Sequence, residues 1–132
     1  MSHDVGRGHL QIGEVAARTE LSIKTIRHYD EVGLVVPSAR STGGFRLYTA
    51  DDVDRLLAIR RMKPLGFSLD EMRALLAAID TLTTESAPED ECAQAIAYVG
   101  ECHGRAREAC EKLSRQLDYA HELTAQLAQY RG

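Results

Sequence analysis

The chain has 132 residues and a formal net charge of −4. No apolar run is long enough to span a bilayer and no secretory leader is visible, which excludes an integral membrane protein and predicts a soluble, cytoplasmic one. This length allows one domain with an appendage and a modest core. The charge is uneven: residues 1–48 hold six Lys/Arg against five Asp/Glu, and residues 81–132 hold five against nine. Phosphate attraction acts locally, within a Debye length of roughly 10 Å. Acidity confined to the C-terminal part is therefore compatible with an anionic partner at the N-terminal part.

Residues 1–9 are polar and glycine-containing and predict a disordered tail. From Ile12 a short helix begins, with Ile12, Val15 and Ala16 on one apolar face and Leu21 closing a turn. Ser22 is suited to cap a second helix, because its hydroxyl can accept from a free amide of the first turn. Ile23 and Ile26 give that helix a buried side, while Lys24, Thr25, Arg27 and His28 form its front, with Tyr29 just behind. An apolar back and a short polar or cationic front suit a helix-turn-helix that enters a major groove.

Gly33 ends the second helix, and a hairpin is predicted next. Leu34-Val35-Val36 forms its first strand, Pro37 stops it, Ser41-Thr42-Gly43-Gly44 turns, and Phe45-Arg46-Leu47-Tyr48 returns. Arg40 and Arg46 flank the turn, where guanidinium groups suit phosphate oxygens. Thr49-Ala50-Asp51-Asp52 starts a third helix as a capping-box-like pattern. Its apolar face is Val53, Leu56, Leu57, Ile59 and Met62, and Pro64 with Gly66 ends it. Arg60, Arg61 and Lys63 cluster near that end. Ser68-Leu69-Asp70-Glu71 caps a fourth helix running to about Asp80.

The C-terminal segment opens on Ser86-Ala87-Pro88-Glu89, which reads as another capping box with Pro88 in the first turn. Beyond it, apolar positions alternate three and four apart. One row is Cys92, Val99, Ala106, Leu113, Ala120 and Leu127; the other is Ile96, His103, Cys110, Leu117 and Thr124. A seam of this period predicts a long helix packed on another helix. The chain offers no second long helix, so the partner is most simply the same helix of a second copy. The midpoint of the seam falls near residue 110, so an antiparallel pair would bring Cys110 to its symmetry mate. Gly100 and Gly104 each weaken the helix by about 1 kcal/mol.

Ile12-Gly13-Glu14-Val15-Ala16, Thr25-Ile26-Arg27-His28-Tyr29-Asp30, Gly33-Leu34, Pro37, Gly44-Phe45-Arg46-Leu47-Tyr48 and Leu65-Gly66-Phe67-Ser68-Leu69-Asp70-Glu71 resemble the MerR family of bacterial transcription regulators. The resemblance is dense from residue 10 to about 80 and weaker along the C-terminal helix. It departs at His28, where the family usually has an aromatic residue, and at Phe45, where tyrosine is commoner. It implies a mainly α fold: a winged helix-turn-helix over residues 10–80, a linker over 81–86, and a long antiparallel coiled-coil dimerisation helix over 87–129. It also implies backbone contacts from the third helix.

The resemblance further implies a homodimeric regulator on double-stranded promoter DNA, in a bacterial cytoplasm and nucleoid-associated. Such a dimer acts on RNA polymerase indirectly, by bending and untwisting an overlong promoter spacer. The residues expected at DNA are Lys24, Thr25, Arg27, His28, Tyr29, Arg40, Arg46, Tyr48, Arg60 and Lys63. Those expected in the dimer seam are Ile96, Val99, His103, Ala106, Cys110, Leu113, Leu117, Ala120 and Leu127. The N-terminal half is only weakly basic, so affinity should depend on a dimer reading two half-sites.

No cofactor or metal is expected. Family members that sense soft metals carry two cysteines in a loop after the dimerisation helix, whereas Cys102 and Cys110 lie inside it, about twenty residues early. Three cysteines also cannot supply the four thiolates of an iron–sulfur cluster. Cys92 and Cys110 are expected as small buried seam residues. No nucleophile–base–orienter set can be placed, so catalysis is not expected. Two other readings stay open: an excisionase-like architectural protein, and a thiol- or metal-responsive protein using Cys102, His103 and Cys110.

Overall fold

The structure, a computed structural model, describes residues 8–131. The tail expected over residues 1–9 falls outside them except for its last two residues. The chain divides between Leu76 and Ala77 into two compact units. In order, its elements are β1 (Leu10–Gln11), α1 (Ile12–Thr19), α2 (Ile23–Glu31), β2 (Ala39–Arg40), β3 (Arg46–Tyr48), α3 (Ala50–Met62), a 3₁₀ turn (Lys63–Leu65), α4 (Leu69–Leu82) and α5 (Glu89–Ala128). The fold is mainly α: a winged helix-turn-helix followed by a long C-terminal helix.

In the first unit, Val15, Ile26, Tyr48, Leu56 and Ile59 are fully buried and draw α1, α2, α3 and the sheet onto one core. Each such aliphatic side chain stabilises the fold by about 1.5–3 kcal/mol on burial. The turn between α1 and α2 is closed locally. Thr19 donates its hydroxyl to the Val15 carbonyl at 2.8 Å and accepts from the Leu21 amide at 3.3 Å. Ser22 caps α2 as expected, accepting from the Thr25 amide at 3.0 Å. Ile26 is buried, but Ile23 stands exposed rather than completing an apolar back.

The sheet is antiparallel, ordered β1-β3-β2, with Leu10 opposite Tyr48 and Arg40 opposite Arg46. This corrects the predicted hairpin in two ways. Leu34-Val35-Val36 is not a strand: the amides of Leu34 and Val35 both donate to the Tyr29 carbonyl, at 2.8 and 3.2 Å. Their side chains sink into the core, so the run finishes the end of α2 instead of pairing. The strand partner lies beyond Pro37, at Ala39–Arg40. The wing turn is tied by Gly44 N–H to the Ser41 carbonyl at 2.8 Å, and Gly44 takes φ +82°, a conformation that a side chain would strain.

Two caps position the later helices. Thr49 and Asp52 form a reciprocal capping box, with bonds of 3.2 and 2.9 Å. The same Asp52 oxygen accepts from the Ser38 amide and hydroxyl, at 3.0 and 2.7 Å, which anchors the entry to the wing on α3. Ser68 and Glu71 form a second box at 2.8 and 3.2 Å. The capping box expected at Ser86 does not form. Pro88 itself is the N-cap, held extended with no side-chain cap, and Ser86 sits too far back to reach the first turn.

In the second unit, α5 runs 40 residues. Its buried positions are Ala95 and Cys102, which belong to neither predicted row. Val99 and Ala106 are half-buried, whereas Ile96, His103 and Cys110 are exposed. From residue 110 onward every described position of the helix is exposed, including Leu113, Leu117, Leu123 and Leu127. Among the described residues, no helix is long and apolar enough to cross a membrane.

Candidate nucleic-acid interface

The second helix of the helix-turn-helix, α2, presents an exposed face between two grooves. On the wing side, Arg27 joins Gln11, Ile12, Gly44, Phe45 and Arg46 around a groove of about 290 Å³. On the other side, Lys24, Thr25, His28 and Tyr29 face Lys63, Phe67, Ser68 and Met72 across a larger groove of about 660 Å³. Cationic side chains thus flank the helix on both sides: Arg27 and Arg46 on one, Lys24 and Lys63 on the other. Cations on both sides of one exposed helix are an arrangement suited to a polyanionic ligand.

Each expected DNA residue has a definite place. Lys24, Arg27 and His28 are exposed on α2, and Lys63 stands on the 3₁₀ turn. Thr25 is half-buried, and its hydroxyl oxygen accepts from Ser22 at 2.9 Å, so it helps close the cap. The His28 and Tyr29 rings lie 6.0 Å apart at 45°. Arg40 and Arg46 converge on one carboxylate oxygen of Asp30, at 3.2 and 2.6 Å. The Asp30 hydrogen bond pushes the Arg46 guanidinium further above its ordinary value, against the opposing effect of burial. Arg60 donates to the Thr19 carbonyl at 2.8 Å and lies 3.6 Å from Glu20.

Two expected contacts are corrected. Tyr48 is 0% exposed: the central strand carries it beneath the helices, opposite Leu10, where no duplex can reach it. Tyr29 is 4% exposed and forms a wall of the larger groove from within the core. Burial pushes both phenols above their ordinary value. Sequence reasoning gave two residues of this region no site role. Phe45 projects from the wing, 71% exposed. Asp30 was visible only as part of a motif, since its partners lie 10 and 16 residues away.

Cys102 is buried, Cys92 is half-buried and Cys110 is exposed. Eight helical steps separate Cys102 from Cys110, about 12 Å of rise, too far for both thiolates to bind one ion at roughly 2.3 Å. Among the described residues, no three His, Cys, Asp or Glu side chains are grouped to hold a metal.

Comparison with known proteins gives the family. The sequence profile of the MerR HTH family regulatory proteins matches residues 10–79. This chain belongs to the MerR family. The HTH-type transcriptional regulator CueR of Vibrio cholerae is 35% identical over 121 residues, covering 92% of this chain and 78% of that protein. The crystal structure of the transcription regulator PbrR691 from Ralstonia metallidurans, in complex with lead(II), superposes with a TM-score of 0.56 at 30% identity. That match covers 88% of this chain and 86% of the other. HiNmlR, a MerR family regulator lacking the sensor domain and solved on promoter DNA, shares the fold with a TM-score of 0.68 at 21% identity. There the coverage is 94% and 95%.

Proposed function

We propose that this MerR-family chain is a dimeric transcription regulator that grips promoter DNA through α2 and the wing and acts by distorting the duplex. The observation that carries this reading is the pairing of cations on the two flanks of one exposed helix: Arg27 with Arg46, and Lys24 with Lys63. Two such heads, held by paired α5 helices, would read two half-sites and offset a deformation cost of a few kcal/mol through their combined contacts. RNA polymerase is then affected through promoter geometry. The fold shared with a regulator solved on promoter DNA supports the same reading. The 40-residue α5 favours a regulator over a small excisionase-like factor.

The test is enrichment of duplexes from a random pool, followed by titration of the enriched sequence. Wild type should enrich a twofold-symmetric site. Arg27→Ala should weaken binding by about 1–3 kcal/mol without changing the melt. Undiminished affinity in that variant would sink the assignment of α2 as the reading helix.

A further inference from the structure

Asp30 sits at the end of α2 with its side chain only 10% exposed, and both wing arginines end on its Oδ2. The two ion pairs are unequal. Arg46 binds through Nε at 2.6 Å and is 25% exposed. Arg40 binds through Nη2 at 3.2 Å, is 49% exposed, and shares its guanidinium with the Gly44 carbonyl at 3.3 Å. Arg40 and Arg46 face each other across the β2–β3 pair, so one carboxylate clamps both strands of the wing to the reading helix. The trio carries one net positive charge where two arginines alone would carry two.

We propose that Asp30 is a positioning residue for sequence-specific DNA binding: it fixes Arg46 as a strut and restrains Arg40 until a correctly placed phosphate replaces the carboxylate. This rests on the DNA-binding reading above. A carboxylate beside the phosphate-facing arginines weakens attraction to any duplex, because like charges within a Debye length repel. It also keeps the wing in one register on α2. Asp30 therefore lowers binding to arbitrary DNA more than binding to the preferred site, and specificity is the ratio of the two. Arg40, longer in its contact and half exposed, is the arginine that changes partner; Arg46 stays.

The experiment compares wild type, Asp30→Asn and Asp30→Glu on two duplexes: the sequence enriched by wild type and a scrambled duplex of equal length. Binding is measured across a salt series. In Asp30→Asn the released charge should tighten scrambled-duplex binding several-fold and steepen its log-affinity against log-salt slope by about one per protomer. The ratio of preferred to scrambled affinity should fall by about tenfold. Asp30→Glu, which keeps the charge, should restore the wild-type slope. An Asp30→Asn protein with an unchanged slope and ratio overturns the proposal, as does one that loses affinity equally on both duplexes. If Asp30→Asn does not fold, Arg40→Gln gives the complementary reading. It should lower the slope on the preferred duplex by about one per protomer and leave the scrambled-duplex slope nearly unchanged; equal changes on both duplexes overturn the proposal. A wild type that enriches no sequence overturns the DNA-binding reading and this one with it.

Discussion

Arg60 donates from Nη1 to the carbonyl oxygen of Thr19 at 2.8 Å, joining α3 to the helix-turn-helix turn across 41 residues. The last carbonyls of a helix lack intrahelical partners, and a cation there also meets the negative end of the helix dipole. Arg60 therefore ties α3 to the C-terminal end of α1, where the turn begins. Arg60→Ala should lower stability by about 1–2 kcal/mol, since a bond to a charged group is worth about 1.5–3 kcal/mol when buried and solvent at the partly exposed Arg60 reduces it. It should weaken DNA binding while leaving the salt slope unchanged, as titrations at several salt concentrations would show. A slope reduced by about one per protomer would instead mean that Arg60 meets a phosphate directly.

Tyr48 buries its hydroxyl with no hydrogen-bond partner among the described residues. An unsatisfied buried polar group costs about 1–3 kcal/mol. Tyr48→Phe removes that group and keeps the ring that fills the core, so it should be neutral or stabilising by up to about 1 kcal/mol. Chemical denaturation reads this directly. A loss above about 1 kcal/mol would show that the hydroxyl is bonded in solution.

Burial also raises the phenol pKa of Tyr29 and Tyr48. The sign follows from linkage. In the folded state these phenols keep their protons above the pH at which an unfolded tyrosine, near 10, loses them. Their contribution is complete below about pH 10 and is lost as pH rises through the folded-state values. The protein should therefore unfold in alkali, with tyrosinate absorbance from two of its five tyrosines appearing together with loss of helix. Tyr48→Phe should shift that transition to higher pH. An identical alkaline midpoint in wild type and variant would remove Tyr48 from the explanation.

Local chemistry made much of this fold legible. Ser22, Thr49 and Ser68 cap their helices through the bonds their positions suggest, and Gly33, Gly44 and Gly66 take the positive φ that ends or turns a segment. What sequence concealed was tertiary. Leu34–Val36 looks like a strand by composition, yet the Tyr29 carbonyl claims the amides of Leu34 and Val35. Glu20 turns the chain at φ +59° without the glycine or asparagine that would announce it. The pattern Arg46-Leu47-Tyr48 does not say which residue faces water, because β3 is central and α3 packs on it. Arginine clusters mark a cationic face but not their partners. Arg60 and Arg46 are engaged with groups 41 and 16 residues away, which no local window links.

The C-terminal half of α5 yields the last expectation. Leu113, Leu117 and Leu127 lie on the predicted seam and are 41%, 55% and 55% exposed, with polar residues between them. A helix of this composition is marginal in water unless its apolar stripe is covered. A second copy covers it most simply, since a twofold pair buries each leucine in both protomers, at about 1.5–3 kcal/mol per side chain. Wild type should sediment as a dimer at micromolar concentration. Leu113→Asp with Leu117→Asp should give a monomer with less helix, an intact winged unit and much weaker DNA binding. The far-ultraviolet signal separates this from simple dissociation: a monomer that keeps its full helix content would mean that something other than a second copy covers the stripe. A wild type that sediments as a monomer well above micromolar concentration would end the dimer reading.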